Sequence, residues 1–85
     1  MRNITFESAA FKEFIEFSKS DKKIFEKIAK MILEIRTNPF EGLHKPEPLK
    51  HNLHSYWSRR INDEHRLVYK ITESEVIIIS CKYHY

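Results

Sequence analysis

Residues 56–83 read YWSRRINDEHRLVYKITESEVIIISCKY. Three β-prone runs, Tyr56 to Ile61, His65 to Ile71 and Val76 to Tyr83, are separated by Asn62-Asp63-Glu64 and Thr72-Glu73-Ser74-Glu75. Aromatic and β-branched residues fill the runs and the interruptions have hairpin length, which predicts a three-stranded antiparallel meander. In the middle run, period two puts Leu67, Tyr69 and Ile71 on one side and Arg66 and Val68 on the other.

Outward toward the N-terminus, periodicity vanishes from Asn38 to Ser55, a stretch holding the only glycine, Gly42, and all three prolines, Pro39, Pro46 and Pro48. This reads as a long ordered loop, and a connection of that length in a small domain is more often functional than idle. Before it, Ile24, Ile28, Met31, Ile32 and Ile35 form a helical stripe that starts at a Ser20-Asp21 cap signal and stops at Asn38-Pro39. A shorter amphipathic helix precedes it, capped by Ser8, with Phe11, Phe14, Ile15 and Ser18 on one face. Arg2 to Phe6 alternates as a short strand with Ile4 and Phe6 on one side. Helices followed by strands predict an α+β fold: two N-terminal helices packed as a hairpin on one face of an antiparallel sheet of about four strands, the other face open.

The 85 residues are expected to form one domain, residues 1–85, since a second core is out of reach at this length. The longest apolar run, Val76 to Ile79, is too short to cross a bilayer, and the N-terminus has no signal-peptide pattern. With Cys81 the single cysteine, a soluble cytoplasmic protein is expected. The net charge of +3 fits a polyanionic partner, diluted by 12 acidic residues. Position is more informative: Lys45, Lys50, Arg59, Arg60 and Arg66 share residues 44–66 with four of the five histidines.

Lys45-Pro46-Glu47-Pro48-Leu49-Lys50 presents one carboxylate between two prolines of fixed φ; taken alone, Glu47 reads as a solvated surface glutamate. His84, between Tyr83 and Tyr85, offers an imidazole that titrates near neutrality, at a chain end that is steady only if tied into the sheet. Arg66 on the open face suits bidentate phosphate binding, with a surface pair to Asp63 or Glu64 as the plainer reading. Arg59 and Arg60 alternate, so one of them shares that surface, and Trp57 reads as core rather than as a base-stacking platform. His44, His51, His54, Cys81 and His84 have no spacing that closes a zinc site. There is no Gly-rich phosphate loop.

The stretch NPFEGLHKPEPLKHNLHSYWSRRINDEHRLVYKI, residues 38–71, with the terminal Lys82-Tyr83-His84-Tyr85, resembles the YoeB branch of the RelE superfamily of toxins. The resemblance implies a RelE-like fold and a metal-independent endoribonuclease that needs no cofactor and inhibits translation by cleaving messenger RNA in the ribosomal A site. By motif position it implies Glu47 as general base, His84 as general acid and Arg66 as the phosphate-stabilising arginine, with Lys50, Arg60 and Tyr85 as RNA-binding residues. It further implies a cognate antitoxin as partner beside the ribosome, with operator DNA reached only through that antitoxin, and no membrane partner. A homodimer is among the states considered. His54-Ser55 departs from the family habit of a small residue and glycine before Tyr56-Trp57. The competing expectations are a noncatalytic RNA-binding module and a transcriptional corepressor bound to the antitoxin.

Overall fold

The computed structural model describes residues 1–49 and 55–83. In chain order these form β1 (Asn3–Phe6), α1 (Ser8–Ser20), α2 (Lys22–Thr37), β2 (Glu47–Pro48), β3 (Tyr56–Arg60), β4 (Arg66–Ile71) and β5 (Glu75–Ser80). The strands join in one sheet of order β1-β5-β4-β3-β2.

The meander is present as expected, β3 antiparallel to β4 and β4 to β5, with a bulge between Val68 and Tyr69. The sheet nevertheless has five strands and is mixed. β1 lies at an edge, parallel to β5, with Asn3 beside Glu75 and Phe6 beside Ile78. Two helices and three strands intervene in the chain between these partners, and nothing local to either strand specifies the pairing. The fifth strand is cut from the long loop: Glu47 and Pro48 pair with Ser58 and Trp57. A proline can hold that place only because β2 is an edge, where its missing N–H costs no ladder bond.

α2 follows its sequence stripe, burying Ile28, Met31, Ile32 and Ile35, and the Asp21 carboxylate caps it by accepting from the Ile24 amide at 3.2 Å. α1 differs from expectation twice. Glu7, not Ser8, takes the N-cap position, because its amide still bonds to Ile78 O at 3.0 Å and ends the strand there. The buried face is also rotated: Ala10 and Phe17 are buried and Phe14 packs on the core, while Phe11 and Ile15 are exposed. Phe14 belongs both to the expected face and to the buried one, so packing decides between them. Its ring stacks on Phe6 at 5.2 Å and on Phe25 at 4.5 Å, joining β1, α1 and α2. From the sheet, Leu67, Tyr69, Ile71, Val76 and Ile78 close the core.

The loop after α2 is organised by Arg59, whose side chain has no exposure and stands on the helix side of β3. Its guanidinium pairs with Glu34 and donates to the carbonyls of Asn38, Glu41 and Leu43, while Nε donates to Tyr69 Oη at 3.1 Å. Tyr69 Oη donates in turn to Pro39 O at 2.8 Å. Gly42, at φ 117°, passes so close to the Glu34 carboxylate that a Cβ there would collide with it, which accounts for the single glycine of the chain.

Candidate active site

The sheet face opposite the helices is built by alternation. Tyr56, Ser58 and Arg60 project from β3 on that side; Ser58 sits directly across from Glu47 of β2 and from Val68 of β4, and Arg60 across from Arg66. Val68 and Ser58 are buried, so this face has a closed floor rather than the wholly open one expected. Above the floor, Arg66 Nη2 donates to Glu47 Oε1 at 3.3 Å, and Arg66 Nε donates to Ser58 Oγ at 3.1 Å. The arginine side chain is 19% exposed and the glutamate 62%. A guanidinium anchored at its Nε, beside a carboxylate open to solvent, can meet a phosphodiester and leave a base within reach of its ribose.

The plainer reading of Arg66 is thereby corrected: its ionic partner is Glu47, and Asp63 pairs with Arg60 instead. Arg60 is the member of the Arg59-Arg60 pair that shares the active face. It also lines, with Lys27, His44, Lys45, Ile61, Asn62 and Asp63, a cleft of about 410 Å³. Within that cleft the His44 imidazole is held below its ordinary pKa, first by burial and then by the Lys27 charge, so it is neutral at pH 7. Trp57 lies on the helix side against the core, its ring 5.2 Å from Phe40, and is no platform for a base. Cys81 is buried under α1, where burial and then the Glu13 carboxylate push its thiol up to about 12, leaving it inert as a ligand or nucleophile.

Lys50, His84 and Tyr85 lie outside the described residues. The chain leading to the last two is fixed up to Tyr83: the Cys81 amide donates to Glu13 Oε1 at 2.9 Å, Lys82 Nζ is 3.8 Å from Glu16 Oε1, and the Arg66 amide donates to Tyr83 O at 3.0 Å. Two polar residues of this region carried no sequence signal beyond strand position. Ser58 is recognisable only once Glu47 is known to face it across the strands. His65 is buried directly before β4, and its Nδ1 accepts the Tyr83 amide at 2.7 Å.

A helical hairpin on one face of a small mixed sheet is the architecture of the RelE-like class of small toxins. The likeness to the DinJ-YafQ complex of Escherichia coli is one of fold alone, with a TM-score of 0.83 at 19% identity over 99% of this chain and 94% of that one. The sequence narrows the class. The family model of the YoeB-like toxin of bacterial type II toxin-antitoxin systems matches residues 6–85, and the chain belongs to that family. It is 51% identical over 73 residues to Toxin YoeB of Escherichia coli K12, covering 86% of this chain and 87% of that protein. It is 49% identical over 82 residues to Toxin YoeB of Synechocystis, covering 96% and 95%. The YoeB dimer from Staphylococcus aureus superposes with a TM-score of 0.91 at 49% identity, covering 99% of this chain and 98% of that one. The YoeB-YefM complex of the same organism gives 0.87 at 48%, covering 100% and 99%.

Proposed function

We propose that this toxin is an endoribonuclease that cleaves messenger RNA in the ribosomal A site by general acid–base chemistry. The observation that carries the reading is the Glu47 carboxylate 3.3 Å from a guanidinium that Ser58 holds in place, on the exposed side of the sheet. Glu47 takes the proton of a ribose 2′-hydroxyl, and the 2′-oxygen attacks the adjacent phosphorus. The bond from phosphorus to the 5′-oxygen breaks, and His84 gives that oxygen its proton. Arg66 stabilises the charge gathering on the two nonbridging oxygens. The products are a 2′,3′-cyclic phosphate and a free 5′-hydroxyl. Side chains supply base, acid and charge stabilisation, so no metal or cofactor takes part, and DNA lacks the nucleophile. His84 enters on its motif position, supported by chain connectivity, since it directly follows Tyr83, whose carbonyl is bound to the Arg66 amide. Lys50, Arg60 and Tyr85 hold the RNA.

The relatives from Staphylococcus aureus form a dimer and a complex with YefM. Like the relative in complex with YefM, this chain is proposed to bind a cognate antitoxin; we further propose that it acts in the cytoplasm, is silenced by that antitoxin and reaches operator DNA only through it. Among the described residues no helix is long and apolar enough to cross a membrane. Primer extension on messenger RNA from cells induced to express the chain tests the reading. New 5′ ends in translated frames, lost when initiation is blocked, are expected. Unchanged message with growth arrest would refute nuclease action, and cuts outside translated regions would refute ribosome dependence.

A further inference from the structure

We infer that His65 is a positioning residue for the cleavage reaction, clamping the backbone of Tyr83, the residue directly before the proposed acid. The inference rests on the proposed role of His84. Consecutive residues of β4 and the turn before it grip both polar groups of Tyr83: His65 Nδ1 accepts its amide at 2.7 Å, and the Arg66 amide donates to its carbonyl at 3.0 Å. Tyr83 has φ 65°, a left-handed conformation that a tyrosine keeps only when its surroundings hold it there. The clamp itself is immobilised. Asn62 Oδ1 accepts from the His65 amide at 2.7 Å, the Ile61 amide donates to His65 O at 3.0 Å, and the imidazole lies 5.2 Å from the Phe17 ring and 5.5 Å from the Tyr83 ring.

Stability alone does not call for this arrangement. Tyr83 is exposed, and a single hydrogen bond to its amide adds only modestly to folding stability. An apolar ring would satisfy the contact with Phe17. What an acceptor at the Nδ1 position supplies is a directed bond that fixes the backbone one residue before the proposed acid. Acceptance at Nδ1 assigns the ring proton to Nε2, which faces Glu64 Oε1 at 3.6 Å. Arg66, the proposed phosphate-binding residue, thus supplies through its backbone the second half of the tail clamp.

The test uses His65→Phe, His65→Asn and His65→Gln in the full chain, with His84→Ala as control, on ribosomes programmed with message. His65→Phe keeps an aromatic ring but removes the acceptor; His65→Asn places an oxygen close to the Nδ1 position; His65→Gln places its oxygen one carbon too far. A misplacement of about 1 Å costs on the order of a hundredfold in rate, so the single-turnover rate should fall at least ~10-fold in His65→Phe. Half-saturating ribosome concentration should change far less than the rate, since Lys50 and Arg60, two of the three proposed RNA contacts, are not carried by the clamped tail. His65→Asn should recover most of the rate and His65→Gln should not. Parent rates in His65→Phe overturn the inference, and if that variant does not fold, equal rates in the Asn and Gln variants overturn it. A His84→Ala chain that cleaves at the parent rate refutes the acid role itself, and this inference with it; loss in His84→Ala with a flat His65 series refutes the positioning role alone.

Discussion

Replacing Arg59 by Met removes the hub of the loop that delivers Glu47. The arginine side chain is wholly buried and its partner Glu34 is 25% exposed. Breaking a buried ion pair by deleting one member costs about 3–5 kcal/mol. Two structural facts set the value within that range. Glu34 recovers part of its hydration, which lowers the cost. The carbonyls of Asn38, Glu41 and Leu43 lose a charged donor that Met cannot replace, which prevents the neutral outcome often seen when an ion pair yields to apolar residues. The expected loss is about 3 kcal/mol, against a total of about 4–13 kcal/mol for a domain of this length. That corresponds to a fall in Tm of about 12–24 °C, measured by circular dichroism. Arg59→Lys should recover about 1 kcal/mol, because an ammonium can reach Glu34 but cannot fork to the three carbonyls. Cleavage by folded Arg59→Met should fall as well, since residues 38–46 then no longer bring Glu47 to Ser58 in register. A Met variant within about 0.5 kcal/mol of the parent would refute the assignment of Arg59 as the loop's anchor.

Glu47→Gln should lower the cleavage rate by about 10²–10⁴-fold yet change stability by less than about 1 kcal/mol, because its ion pair with Arg66 is largely solvated; denaturant unfolding beside single-turnover cleavage would separate the two. Ser55 has φ 66°, a left-handed conformation that glycine adopts without strain, so Ser55→Gly should stabilise the fold by about 0.5 kcal/mol and raise Tm by a few degrees; a lower Tm would contradict the strain argument. The Cys81 thiol, pushed up to about 12, should resist alkylation at pH 8–9 in the native protein and react readily in denaturant. Its folded pKa lies above the unfolded value of about 8.5, so the associated stability is present below that pH and is lost as pH rises toward about 12, which an unfolding series across alkaline pH would register.

Periodicity and punctuation determined much of this protein from the sequence. The α2 stripe, the three strands after residue 55, and the division of Leu67, Tyr69 and Ile71 from Arg66 all follow from repeats of 3.6 and 2 residues, which are local properties of the chain. Glu47 and Arg66 were recognisable as candidates because motif order survives in the linear sequence. Their contact was not, since the sequence equally allowed Arg66 to pair with Asp63 or Glu64.

What tertiary structure alone decided involves choices between locally equivalent options. α1 carries two overlapping apolar stripes, and the stacking of Phe14 between Phe6 and Phe25 selects the one that buries Ala10 and Phe17. Arg59 and Arg60 are adjacent and chemically identical; strand alternation sends one into the core beside Glu34 and the other to the active face. β1 pairs with β5 across about seventy residues, a partnership that no local pattern encodes because its hydrogen bonds are made by backbone groups common to every residue. The same holds for Ser58 and His65, which became parts of the site when distant backbone brought Glu47 and Tyr83 within reach of them.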